Sequence, residues 1–303
     1  MALLAPAYYT RFACTADACR HTCCRDWEID VDPTHVALYA SGTEPYFDAV
    51  RQSLTKDEAG THIRLCLDGR CPHLDERGLC RIILSLGEEA LSTVCREHPR
   101  FFLSTASGGE VGLGLSCEAA CHLILSSDDY DVLVPVGQGA LYAPTDATAI
   151  RSEIYRLLKD TTRPYPERLS VIEEAYNVSL EYRTSEQWRE LLASLEYLKE
   201  EHARRIGAFR LTKRKPTPLD PLLERALAYF LLRHLTEADS LIECRAAITL
   251  ALLLEQLLAS LAEGEGVTSA EELGELARMI SEELEYSEEN TERLLEDLSF
   301  SLL

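Results

Sequence analysis

The chain has 303 residues, 46% of them hydrophobic and 27% charged, and a formal net charge of −21. Such acidity argues against nucleic acid as a partner, because phosphate binding requires a basic surface. The longest uncharged apolar run, Ala246–Leu254, is too short to span a bilayer, and the first nine residues lack the basic start and apolar length of a secretion signal. The sequence therefore predicts a cytoplasmic protein with no membrane partner.

Taken in chain order, the predicted elements begin short and become long. Asp32-Pro33 supplies an N-cap and a favoured first helical residue ahead of a helix through Tyr39, which Ser41-Gly42 ends. Asp68-Gly69 and Arg77-Gly78 are turn signals that bracket Cys71 and Cys80, a spacing that predicts a loop or hairpin. Gly87–Cys95 reads as a short helix stopped by His98-Pro99. Gly108-Gly109 reads as a hairpin turn, Val111–Ser116 as an alternating strand, and Cys117-Glu118 as the start of a helix to Leu125.

From Asp146 onward helical spacing prevails. Helices are predicted over Glu167–Tyr182, over Glu186–Ala208 capped by Ser185, and over Leu222–Leu235 after Pro216, Pro218 and Pro221. Ile242–Leu261 is apolar on most sides, as a central bundle helix would be. Ser269-x-x-Glu272 forms a capping box, and Ser287 caps the last helix to Leu302. The expected fold class is mostly α, with an irregular cysteine-rich metal-binding N-terminal module (residues 1–127) packed on an all-helical C-terminal bundle (146–303). The Asp128–Asp146 segment, with Pro135, Gly137, Gly139 and Pro144, is the expected junction.

Ten of the eleven cysteines lie between Cys14 and Cys121. Cys14, Cys19, Cys23 and Cys24 form a C-x4-C-x3-C-C run, and Cys66, Cys71, Cys80, Cys95, Cys117 and Cys121 follow. In a reducing compartment, clustered thiols point to metal binding or catalysis rather than disulfides. The spacing lacks the C-x2-C pairs usual for structural zinc and the radical-enzyme C-x3-C-x2-C pattern. It suits irregular iron–sulfur ligation better. Adjacent Cys23 and Cys24 are expected to point apart, and Cys66, Cys121 and Cys244 to be plain buried residues in half of cases. His21, His62, His73, His98 and His122 lie among the thiols, and at least three are expected on the surface. Tyr8, Tyr9, Asp26, Glu28 and Asp30 are possible base or orienting groups. Trp27 reads as a core residue.

Ordered motifs carry a resemblance. Phe12-x-Cys14, Cys19 and Cys23-Cys24-x-x-Trp27-x-Ile29-x-Val31-Asp32 come first. Cys71-Pro72-x-Leu74-Asp75-x-x-Gly78-Leu79-Cys80 and Leu86-Gly87-Glu88-Glu89-x-Leu91-Ser92-x-x-Cys95-x-x-x-Pro99-Arg100 follow. Leu115-Ser116-Cys117 and, near the end, Glu285-Tyr286-Ser287-Glu288-Glu289-Asn290 complete the series. Together they resemble the flagellin lysine-N-methylase (FliB-like) family, which is related to a broader group of zinc- or iron-chelating cysteine-cluster proteins. The chain departs from the family at Cys117-Glu118, where a proline usually intervenes.

The resemblance implies a protein-lysine N-methyltransferase acting on flagellin, with S-adenosylmethionine as methyl donor and a 4Fe–4S cluster as cofactor. The implied metal-ligand set is Cys14, Cys19, Cys23, Cys24, Cys71, Cys80, Cys95 and Cys117, twice what one cluster needs. No donor-binding signature or catalytic residue is assigned. The alternative is a non-enzymatic zinc- or iron-binding protein with a structural or sensing role.

Overall fold

The computed structural model describes residues 3–105, 108–137 and 145–302. The chain divides into two compact units, one made of Ala13–Arg100 and the other of Met1–Phe12 with Phe101–Leu303. Compactness and composition draw the lines differently: the smaller unit is an insertion within the cysteine-rich segment rather than the whole of it. Of the expected junction, Gly139 and Pro144 lie outside the described residues.

The first strand, β1 (Leu3–Pro6), belongs to the larger unit. The smaller unit then builds a three-stranded antiparallel sheet in the order β2 (Ile29–Asp30), β4 (Thr61–Ile63), β3 (Leu54–Lys56). Around it lie α1 (Pro33–Ser41), α2 (Tyr46–Ser53), α3 (Arg81–Leu86) and α4 (Thr93–Glu97). As expected, Asp32 caps α1, its side chain accepting from the His35 N–H. The Gly87–Cys95 stretch is a 3-10 turn at Glu88–Ala90 followed by α4, not one helix. The core is small: Ile29, Val31, Tyr39, Phe47, Val50, Ile63, Cys71, Ile82, Ala90 and Leu91. Burying each large side chain contributes about 1.5–3 kcal/mol, so few side chains must offset the ordering of a long, irregular chain.

The larger unit is mostly helical but carries a sheet that the sequence reading did not expect. It is four-stranded, in the order β5 (Arg100–Thr105), β6 (Gly108–Leu113), β1, β7 (Leu133–Pro135). β1 runs parallel to β6 and antiparallel to β7. Gly108-Gly109 lies inside β6 and is not a turn. The glycines of β6 answer to packing. A Cβ on Gly112 would come 2.2 Å from the Phe101 ring, and one on Gly114, just past the strand, 2.2 Å from the Tyr286 hydroxyl. No side chain fits such approaches without displacement.

Helices follow: α5 (Glu118–Ser126), α6 (Asp146–Leu158), α7 (Tyr165–Tyr176), α8 (Ser185–Ala193), α9 (Glu200–Ile206) and α10 (Asp220–Leu235). Two expected long helices are shorter. α7 stops where Asn177 turns left-handed (φ 51°), and Thr184, not Ser185, caps α8, which ends before α9 begins. α11 (Leu241–Glu265) is the bundle's central helix, opened by a Ser240–Glu243 capping box and closed by left-handed Gly266. By length and composition it could cross a membrane, contrary to the reading from Ala246–Leu254 alone, but 89% of that stretch is buried inside the protein. α12 (Ala270–Ile280) has the expected Ser269–Glu272 box, and a π-helical turn, Ser281–Glu285, leads to α13 (Glu288–Ser301), capped by Ser287.

Candidate metal centre

Three pieces of backbone bring cysteines together in the smaller unit. The Cys24 carbonyl accepts from the Cys71 N–H (2.8 Å), and the Asp26 N–H donates to the Gly69 carbonyl (2.9 Å). Gly69 is required there: it holds φ 79°, and a Cβ would meet Asp26 Oδ1 at 2.0 Å. Next, a hairpin bridges Leu74 to Cys80. Asp75 builds its turn, with Oδ1 accepting from the N–H groups of Arg77 (2.8 Å) and Leu79 (2.9 Å) while Gly78 takes φ 80°. This is the loop that the sequence spacing predicts around Cys71 and Cys80. Finally, Asp32 accepts from the Thr93 N–H (3.0 Å) and hydroxyl (2.9 Å), which ties the start of α4, and with it Cys95, to α1.

The result is that Cys24, Cys80 and Cys95 pack against the core that contains Cys71. Every pair among these four thiols is electrostatically coupled. Burial, and then the neighbouring thiols, push Cys71 up to about 12 and Cys95 up to about 11, and burial raises Cys80. Cys24 goes the other way, to about 7, chiefly because the Cys23 thiol donates to it. Of these two adjacent cysteines, Cys23 is exposed and Cys24 half-buried. A half-buried quartet of thiols, one of them already acidic, suits a soft cation that replaces the protons and cancels the mutual repulsion.

Spacing informs the kind of centre. Zn–S bonds of about 2.3 Å put tetrahedral thiolates about 3.8 Å apart. Among the described residues, the group of ligand-type side chains whose donor atoms all lie within 4.8 Å of one another is Glu28, Asp30 and His62, not the thiols.

Of the other expected ligands, Cys14 and Cys23 are exposed and Cys19 half-buried in the smaller unit, while Cys117 is the N-cap residue of α5 in the larger one. Cys121 and Cys244 are buried core residues, but Cys66 is exposed. Of the five histidines, His122 is exposed, His21 and His98 are half-buried, and His62 and His73 are buried. His73 is buried between the Tyr46 hydroxyl (3.1 Å to Nδ1) and the Ser53 hydroxyl (2.8 Å to Nε2), and burial takes it down to about 4. The His98 ring packs at a tilt of 42° and 5.7 Å against Trp27, whose Nε1 donates to the Cys23 carbonyl. Trp27 is half-buried and braces the thiol segment instead of filling a core. Of the possible bases, Tyr8 is fully buried in the larger unit's core, and Asp26 serves the Gly69 turn.

A second polar cluster, missed by sequence reading, lies in the larger unit. Tyr229, Arg233 and His234 on α10 surround Glu285, with the Tyr229 hydroxyl donating to Oε2 (3.0 Å) and His234 Nε2 2.9 Å from Oε1. The Arg233 guanidinium donates to the Glu285 carbonyl (2.9 Å) and lies over the Phe101 and Tyr286 rings. Burial opposes ionisation of Glu285, but His234 and Arg233 hold its carboxyl below the usual range. The Leu115 N–H meets the Tyr229 hydroxyl at 3.4 Å. Two motif segments, Leu115–Cys117 and Glu285–Asn290, are thereby joined through α10, and a π-turn, often found at functional sites, carries Glu285.

The chain is 34% identical over 130 residues to the lysine-N-methylase of Salmonella typhimurium, which covers 41% of this chain and 32% of that protein. It is 32% identical over 130 residues to the flagellar biosynthetic protein FliU of Salmonella muenchen, covering 77% of the latter. The chain belongs to the FliB-like family. A second lysine-N-methylase, from Salmonella choleraesuis, is 33% identical over 130 residues. The matched stretch spans about a third of the two lysine-N-methylases. No family model and no solved structure matches the chain.

Proposed function

We propose that this FliB-like protein is a protein-lysine N-methyltransferase that methylates flagellin lysine ε-amines, with S-adenosylmethionine as donor and an iron–sulfur cluster held by its N-terminal cysteines. The observation that carries the reading is the similarity to proteins named lysine-N-methylase. FliU, by its name a flagellar biosynthetic protein, supports flagellin as the substrate.

Methyl transfer from a sulfonium is an in-line displacement. The amine lone pair forms the new N–C bond as the C–S bond breaks, sulfur keeps the electron pair, and the nitrogen then sheds a proton. The enzyme must present a neutral amine in line with the methyl group. The net charge of −21 favours approach of a cationic lysine. Cys24, Cys71, Cys80 and Cys95 are the proposed cluster ligands, supported by their gathering around one small core and their mutual electrostatic influence, while Cys14, Cys19, Cys23 and Cys117 stay in the proposed set on the family's motifs. Bound there, a cluster would supply a fixed soft-metal centre able to anchor the donor.

The alternative, a non-enzymatic metalloprotein, is favoured by one observation: the smaller unit's core is slight enough for a metal to serve as its staple. One preparation separates the two. Anaerobically purified protein should contain iron and acid-labile sulfide and should transfer labelled methyl from S-adenosylmethionine to flagellin. Zinc without sulfide, together with no methyl transfer, would sink the enzyme reading.

A further inference from the structure

The antiparallel register of the small sheet assembles a second kind of metal ligand set, unrelated to the thiols. Asp30 on β2 pairs across from His62 on β4. Strand alternation puts Glu28 and Asp30 on one face and Ile29 and Val31 in the core. His62 shares the outward face with the two carboxylates, yet its residue is only 5% exposed.

The two ring nitrogens have different company. Nε2 lies 2.8 Å from Asp57 Oδ2. Asp57 is itself fixed, because Oδ1 accepts from the N–H groups of Ala59 (2.8 Å) and Gly60 (3.2 Å). Nδ1 faces Glu28 Oε1 at 3.0 Å and Asp30 Oδ1 at 3.4 Å. With Asp57 on Nε2, Nδ1 faces two carboxylate acceptors and needs either its own proton or a cation in that place. Something positive belongs between them.

We propose that Glu28, Asp30 and His62 bind a divalent transition-metal ion of the manganese-to-zinc series, with Asp57 orienting the imidazole from behind. All three donor atoms lie within 4.8 Å of one another. Metal–N and metal–O bonds of about 2.0–2.2 Å give tetrahedral ligand–ligand edges of about 3.4 Å. The Asp30 contact matches that edge, whereas the Glu28 contact, at 3.0 Å, has ordinary hydrogen-bond length and would open slightly around an ion. Charge balances as well: one dication offsets the two facing carboxylates and leaves the ring neutral. A carboxylate on the far nitrogen is the usual companion of a metal-bound histidine. The nitrogen–oxygen donors suit a harder ion than the thiols do, and the exposed carboxylates leave positions open to water. This site stands whether or not the protein methylates lysine.

The test uses the full-length protein with its thiol centre loaded, stripped of loosely held ions and titrated with Mn2+ while electron paramagnetic resonance counts the free ion. Wild type should bind one Mn2+ per chain. Glu28→Gln/Asp30→Asn, both on the surface and safe for folding, should abolish that binding without changing iron, zinc or sulfide content. Asp57→Asn should weaken it about 10–100-fold. Equal Mn2+ binding by wild type and the double variant would overturn the assignment. So would a nitrogen NMR spectrum showing His62 doubly protonated at neutral pH and indifferent to added Mn2+.

Discussion

Asp32 shows how one side chain can set the geometry of a site it does not enter. Its carboxylate accepts from His35 and from Thr93, so it caps α1 and fixes the segment that leads to Cys95. Burial works against its charge, but the Thr93 and His35 hydrogen bonds hold it well below the usual carboxylate range. A depressed folded value means that its contribution is full above the unfolded value of about 3.9 and fades as pH falls below it. Asp32→Ala should therefore cost about 0.5–2 kcal/mol at pH 7 in denaturant unfolding, and the gap from wild type should narrow toward pH 3. Among the cysteines, Cys24→Ser should lower bound metal while Cys244→Ser, in the helical core, should leave it unchanged; equal metal in both would count against the thiol assignment. The special standing of Cys24 was not legible in sequence. It depends on the Cys24 carbonyl being bonded to the Cys71 N–H, a matter of backbone path.

At the level of elements, the legible features were those with local chemistry. Asp32-Pro33, Ser269-x-x-Glu272 and Ser287 cap the helices they announce, and Asp68-Gly69 and Arg77-Gly78 make the turns around Cys71 and Cys80. The four-stranded sheet was hidden because β1 and β7 are short and their partners are distant in the chain, with Leu3 opposite Gly109 and Leu4 opposite Pro135. The glycines of β6 misled for the same reason: they look like turn residues but serve close approach. Gly112→Ala would push a methyl into the Phe101 ring, and about 1–3 kcal/mol of destabilisation of the larger unit should follow, read from its thermal midpoint. The Glu285 network escaped notice because its members come from α10 and the π-turn, more than fifty residues apart.

For the molecule as a whole, two units of unequal core imply two stabilities. Metal binding is folding energy where a core is small, so Cys71→Ser should melt residues 13–100 at lower temperature. Each kcal/mol lost should lower that transition by about 4–8 °C, while the helical transition holds its midpoint in calorimetry. A single unshifted transition would contradict the division. The connectivity adds a consequence for biosynthesis. β1 emerges from the ribosome first, but its parallel partner β6 emerges only after the whole of Ala13–Arg100. The smaller unit can thus close its own core before the strand pair that flanks it in the chain is able to form.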